Sequence, residues 1–184
     1  MKTLIVGLGN PILTDDGIGV KAALALEQIL ENRPPARDDN WLVQENIDSA
    51  SYNPQSDIHV IEASVGGLRL MELMIGYDRV VIIDALTVRD GAGPGTIHRL
   101  TLDDLRAMSP TQHSASAHDT TLVNALDSGQ QLGFHLPDEV IIYAIEVENV
   151  TDFNEEPTTA VSAAIPHVVT AVLQELALPT GQTV

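Results

Sequence analysis

Residues 79–84 read Arg-Val-Val-Ile-Ile-Asp, four consecutive apolar residues closed by an aspartate. A strand with one wet face alternates apolar and polar side chains, whereas an unbroken apolar run is buried on both faces. Such a strand sits inside a parallel sheet covered by helices. Lys2 to Gly7 is a second short apolar run, ending in glycine, and Ile58 to Glu62 and Glu139 to Val147 give two more strands. Thr96 to Leu100 follows a turn at Gly91 to Gly95.

Helical spacing separates these strands. From about Gly17 to Leu30, Ile18, Val20, Ala23, Leu24, Leu26 and Ile29 recur on one face, until Pro34 and Pro35 stop the helix. Val65 to Ile75 is a helix with Leu68, Leu70, Met71, Leu73 and Met74 on its apolar side. Thr101 to Met108 is a short helix capped by Thr101, and Asp119 to Gly129 is another. Thr158 to Leu178 closes the chain, kinked at Pro166. Strands alternating with helices predict an α/β fold of three layers: a twisted, mostly parallel central sheet with helices on both faces. The 184 residues suit one domain. The polar stretch from Pro34 to Asp57 is expected to be a surface insertion, with Trp41 to Val43 a small strand inside it.

Composition removes several chemistries. There is no cysteine, hence no disulfide, thiolate metal site or thiol nucleophile. The formal charge of −17 repels phosphate backbones, so no nucleic-acid partner is expected. It attracts cations and basic protein surfaces. No apolar run approaches the roughly 18 residues of a membrane span. The N-terminal run leads straight into a patterned motif and is a core strand, not a signal peptide. No membrane association and a cytoplasmic location are the expectations.

In open α/β sheets, ligands bind outside the carboxyl ends of the strands. The first strand is followed there by GLGNPILTDDGIG, carrying Asn10, Asp15 and Asp16. The central strand ends at Asp84, and the loop after the Thr101–Met108 helix carries His113 and His118. Two carboxylates and a neutral imidazole suit a borderline-hard divalent cation, and three protein ligands leave coordination positions open. The bland alternatives are that the aspartates cap turns or helices and the histidines are solvated. Gly7 and Gly9 are expected to turn the chain sharply, and Asp15 to favour a helix N-terminus. Asn10 braces its loop or contacts a substrate backbone. His59 and His98 lie in or beside strands, as packed or solvated residues.

GLGNPILTDDGIG, GYDRVVIIDAL, GPGTIHRL and SAHDTTLVNAL, in this order and spacing, resemble the hydrogenase maturation proteases. The resemblance runs from about Lys2 to about Leu176 and is weakest over residues 31–57. It implies the α/β fold of that family, shared with phosphorylase/hydrolase-like proteins. It also implies removal of a C-terminal extension from a [NiFe]-hydrogenase large-subunit precursor after nickel insertion. The partner is then that precursor. The nickel comes with it, and cadmium or zinc are surrogates in crystals. The metal-contacting positions of the family fall on Asp16, Asp84 and His118, which are also the candidate catalytic residues; Asn10 and Glu62 are possible substrate contacts. Asp16 stands where the family often has glutamate. Glu62-Ala63-Ser64-Val65-Gly66-Gly67 replaces an Asp-Gly-Gly-Thr-like turn.

The chain has no G-x-S-x-G elbow and no H-E-x-x-H helix, so no self-contained serine or zinc peptidase is expected. Nickel held by the precursor then serves as a mark of completed maturation or as a Lewis acid; both readings fit. A nickel-binding checkpoint or chaperone that cleaves nothing would use the same positions. LIVGLGNP also resembles the start of peptidyl-tRNA hydrolases, but no histidine follows before His59 and the acidic charge opposes tRNA. Gly7 and Gly9 begin a dinucleotide-binding G-x-G-x-x-G, but Ile12 stands at its third glycine.

Overall fold

A computed structural model describes residues 1–31, 57–87, 91–107 and 117–176, with the side chains of 117–121 set aside. In chain order the elements are β1 (Thr3–Leu8), a 3-10 turn (Thr14–Gly17), α1 (Ile18–Glu31), β2 (Ile58–Ala63), α2 (Gly67–Met74), β3 (Arg79–Leu86), β4 (Ile97–Thr101), α3 (Leu102–Ala107), α4 (Ala117–Gln131), β5 (Glu139–Glu146), α5 (Thr159–Ser162) and α6 (Ile165–Glu175). The sheet order is β2-β1-β3-β5-β4. β1 pairs in parallel with β2 and β3, β3 in parallel with β5, and β4 runs antiparallel to β5 at the edge.

The three layers follow from which side chains each strand turns to which face. Ile5, Val81, Ile83, Tyr143 and Ile145 face α1, α5 and α6, meeting Ile18, Ala22, Leu26, Val161, Val168 and Val172. Leu4, Val6, Val80, Ile82 and Ile142 face α2, α3 and α4, meeting Leu70, Met74, Leu105, Leu122 and Leu126. Every residue of β1 and β3 is buried, as an apolar run with both faces covered requires. No helix among the described residues is long and apolar enough to cross a membrane.

Several expected boundaries move. β3 runs two residues past Asp84, because Ala85 and Leu86 go on pairing with Ile145 and Glu146. α4 begins at Ala117, so His118 lies in its first turn and not before it. The closing segment is two helices rather than one kinked helix: Pro166 lies in the first turn of α6, where its missing N–H costs nothing. In α2 the buried residues are Leu70, Met71 and Met74, while Leu68 and Leu73 are exposed. Thr101 caps α3 as expected, and reciprocally: its Oγ1 accepts the Asp104 N–H at 3.3 Å and its own N–H donates to Asp104 Oδ2 at 2.7 Å. Trp41 to Val43, and the expected insertion up to residue 56, lie outside the described residues.

One polar network ties the last helix to the sheet. Glu175 accepts hydrogen bonds from Arg99 Nε (2.7 Å), Arg79 Nη2 (2.9 Å) and the Tyr143 hydroxyl (3.0 Å). Arg79 Nε also lies 2.7 Å from Glu139 Oε2, an ion-pair contact without hydrogen-bond alignment. Arg99 does most to hold the Glu175 carboxyl below the usual glutamate range, against the opposing pull of burial; Tyr143 and Arg79 assist. Burial, with Glu175, pushes the Tyr143 hydroxyl up to about 12. A carboxyl whose folded pKa is depressed adds stability above its unfolded value, near 4.5, and loses it as pH falls through the folded value. Glu175→Gln is therefore expected to lose about 2 kcal/mol at pH 7. The gap to wild type should narrow in urea titrations as pH falls below 4.5; a gap that stays constant would contradict the linkage.

Candidate functional site

The carboxyl edge of the sheet is built around the loop after β1. Gly9 turns it with φ +131°, a conformation a side chain would resist. Its N–H donates to Ala63 O at 3.1 Å, and the Ser64 hydroxyl donates to Gly9 O at 2.7 Å, so the ends of β1 and β2 are joined through it. Gly7 serves packing and not turning: a Cβ there would stand 2.6 Å from that of Ala23 in α1. Asn10 acts as a brace, its Oδ1 accepting the Ile12 N–H at 3.3 Å. Its backbone N–H donates to Asp16 Oδ2 at 2.7 Å, which aims the Asp16 carboxylate back over the loop. Asp16 is half-buried and belongs to the 3-10 turn, which packs against β3.

Asp15 lies in the first turn of the 3-10 helix that leads into α1, as its position suggests, but its carboxylate does more than sit at a helix end. It is fully buried and binds a second loop. Oδ1 accepts the Thr158 N–H at 2.6 Å; Oδ2 accepts the N–H groups of Asn149 (3.0 Å) and Glu148 (3.3 Å) and the Thr158 hydroxyl (3.2 Å). Thr14 beside it has φ +38°, an uncommon conformation for a β-branched residue. It is held by bonds from its N–H to Asn154 O (2.8 Å) and from its hydroxyl to Asp152 O (2.7 Å).

Asp84 is 4 % exposed, and its Oδ1 accepts the N–H of Ala85 at 2.8 Å. By strand alternation it faces the side of the sheet covered by α2 and α4, between Ile82 and Leu86. α4 leads by its carboxyl end into β5, where the Asp138 N–H bonds Asp78 O beside the start of β3. The first turn of α4 therefore lies at the opposite, carboxyl edge, on the face to which Asp84 belongs. His118 is placed there by its backbone; its side chain, and the whole of His113, lie outside the described residues. Among the described residues no cluster of three or more metal-ligating side chains is present. Glu62, exposed near the end of β2, is paired in register with Gly7 and falls on the other face, that of Val60.

Two residues at this edge had no role assigned from the sequence. Glu146, at the end of β5, is 4 % exposed and accepts the N–H groups of Ala92 (3.1 Å) and Gly93 (2.8 Å). Its Oε1 lies 2.6 Å from His98 Nε2. No local pattern marks a glutamate in an apolar strand and a histidine 48 residues earlier as partners; only the β4–β5 pairing joins them.

A mostly parallel sheet with a glycine-turned loop and acidic residues at its carboxyl edge is the α/β class in which ligands bind outside the strand ends. A family model described as hydrogenase maturation protease matches residues 43–175. The hydrogenase 2 maturation protease of Escherichia coli (strain K12) is 22 % identical over 176 residues, covering 96 % of this chain and 88 % of that protein. The hydrogenase expression/formation protein HupD of Rhizobium leguminosarum bv. viciae is 21 % identical over 175 residues, covering 95 % and 74 %. Among solved structures, the hydrogenase maturating endopeptidase HybD from E. coli superposes with a TM-score of 0.67 at 24 % identity, covering 96 % of this chain and 94 % of that one. The [NiFe] hydrogenase maturation protease HybD from Thermococcus kodakarensis gives 0.63 at 23 % identity, covering 96 % and 99 %. The chain belongs to the hydrogenase maturation protease family. Its class is thus that of a peptidase, a hydrolase of peptide bonds.

Proposed function

We propose that this protein is the endopeptidase that removes the C-terminal extension of a [NiFe]-hydrogenase large-subunit precursor once nickel has been inserted. Asp16, Asp84 and His118 recognise the nickel, which belongs to the substrate. The observation that carries this reading is the placement of Asp84. Its carboxylate is buried near the end of the central strand, on the face where the first turn of α4 brings His118. The 3-10 turn bearing Asp16 packs against the same strand. Two carboxylates and an imidazole are a donor set that nickel accepts. Three ligands from the protease leave room for those of the precursor, so only a metal-loaded precursor completes the shell. The bound nickel supplies Lewis acidity towards the scissile carbonyl. The location that goes with this work is the cytoplasm.

Nickel-loaded and nickel-free precursor, each mixed with the protease, separate the parts of this reading by intact mass. The expected result is loss of a C-terminal peptide from the loaded form alone, abolished by Asp16→Asn. Equal trimming of nickel-free precursor would sink metal recognition. Undiminished trimming by Asp16→Asn would remove that carboxylate from the site.

A further inference from the structure

Peptide hydrolysis moves a proton from the attacking water to the departing amine, and some group must carry it. With Asp16, Asp84 and His118 as ligands of the nickel, as in the function proposed above, the charge of the metal makes them poor acceptors of a proton. One other imidazole stands at the carboxyl edge, on the face of Asp84, among the described residues. His98 of β4 pairs with Ala144 of β5, and Ala144 pairs with Asp84 of β3. The three form one row across three strands, and residues in a row point to the same face; Asp84 and His98 are about 10 Å apart at their α-carbons. Ala144, between them, has only a methyl group to interpose. His59 is committed to Tyr77 at the other end of the sheet, and His135 to Asp78.

The His98 ring is held in one orientation and one tautomer. Burial pushes the Glu146 carboxyl up, but the Gly93 N–H, His98 and the Ala92 N–H together outweigh it and hold the group below the usual glutamate range. An ionised carboxylate only accepts hydrogen bonds, so Nε2 carries the hydrogen that His98 donates. In the neutral ring Nδ1 is then left with its lone pair, and it has no partner among the described residues. The side chain is 38 % exposed, and so reachable by substrate. An imidazole whose tautomer is set by a buried carboxylate is the arrangement of a general base.

We propose that His98, oriented by Glu146, is the proton carrier of the cleavage step. Its Nδ1 takes the proton that water releases as the water oxygen bonds the scissile carbonyl carbon. It returns that proton to the amine nitrogen as the C–N bond breaks. One water is consumed and the imidazole ends as it began. Glu146 acts through His98 and through the turn at Ala92 and Gly93, and is a positioning residue. The proposal rests on the peptidase reading above.

His98→Gln keeps an N–H donor for Glu146 but cannot carry a proton; His98→Ala removes both. Single-turnover cleavage of nickel-loaded precursor, with the protease concentration varied, gives the maximal rate and the half-saturating concentration. Melting temperatures are measured in parallel. Both variants are expected to lower the maximal rate about 10²-fold or more. Half-saturation should not change, and His98→Gln should melt with the wild type. A His98→Gln variant that cleaves at the wild-type rate overturns the proposal, and a loss confined to His98→Ala with a lower melting temperature assigns His98 a bracing role alone. If the wild type itself leaves the loaded precursor intact, the peptidase reading fails; if the wild type cleaves and His98→Gln is undiminished, only the proton carrier fails.

Discussion

Gly19→Ala is expected to destabilise the protein by about 3 kcal/mol or more, seen as a fall in melting temperature of roughly 6–12 °C for a chain of this size. Gly19 sits in the first turn of α1, where that helix crosses the ends of β1 and β3 with backbone against backbone. A Cβ there would press into the carbonyl oxygens of Leu8 and Ile83 and stand 3.0 Å from the Ile83 carbonyl carbon. Overpacking against a flexible side chain is relieved by a rotamer change, but these neighbours are main chain inside two fully buried strands. The strain can be relieved only if α1 lifts. The 3-10 turn bearing Asp16 precedes α1 directly. A second effect follows: cleavage by Gly19→Ala should fall more than the folded fraction alone explains. Thermal unfolding followed by circular dichroism, with cleavage assayed well below the transition, checks both. A melting temperature within about 1 °C of wild type would show that α1 does not hold this close approach.

Asp15→Ala is expected to cost about 3–5 kcal/mol, a large part of the 5–15 kcal/mol that stabilises a typical domain. The buried carboxylate accepts from four donors, three of them main-chain N–H groups of residues 148–158. Its removal leaves those donors without an acceptor, and water can reach them only by loosening both loops. The restraint on Thr14 in its positive-φ conformation would be weakened as well. Asp15→Asn keeps one oxygen acceptor but brings an NH2 group against N–H donors, so it should fall between alanine and wild type. Urea unfolding of the three proteins gives the order. Equal stability of Asp15→Ala and wild type would mean the two loops are held together by other contacts. Asp16→Asn, one residue away but half-buried, should change midpoint stability far less than it changes cleavage.

Asp15 and Asp16 show where the sequence stops being informative. Adjacent in the chain and identical in chemistry, they differ only in the direction they face. The first goes into the 148–158 loop, the second towards the carboxyl edge. Nothing local distinguishes them. The 3-10 turn decides the matter, and tertiary bonds from Asp15 N to Asn149 O (2.9 Å) and from Thr14 N to Asn154 O (2.8 Å) hold it there.

The sequence by itself determined the layered α/β architecture, since the unbroken apolar runs within Lys2–Gly7 and at residues 80–83 call for a sheet covered on both faces, and helical spacing separates the strands. It also put Asp16 in the loop after the first strand and Asp84 near the end of the central one, towards the edge where such sheets bind ligands, because hydrophobic pattern and turn residues mark strand ends to within a few residues. Single-residue boundaries were not legible. β3 runs on to Leu86 because β5 offers it partners, and the last helix divides at residues 163–164 with Pro166 in a first turn. Only the tertiary structure joined Glu146 to His98 and Asp15 to Thr158. These are contacts between residues 48 and 143 positions apart. Their energy comes from desolvated hydrogen bonds whose donors and acceptors are brought together by packing, and no periodicity in either segment encodes its distant partner.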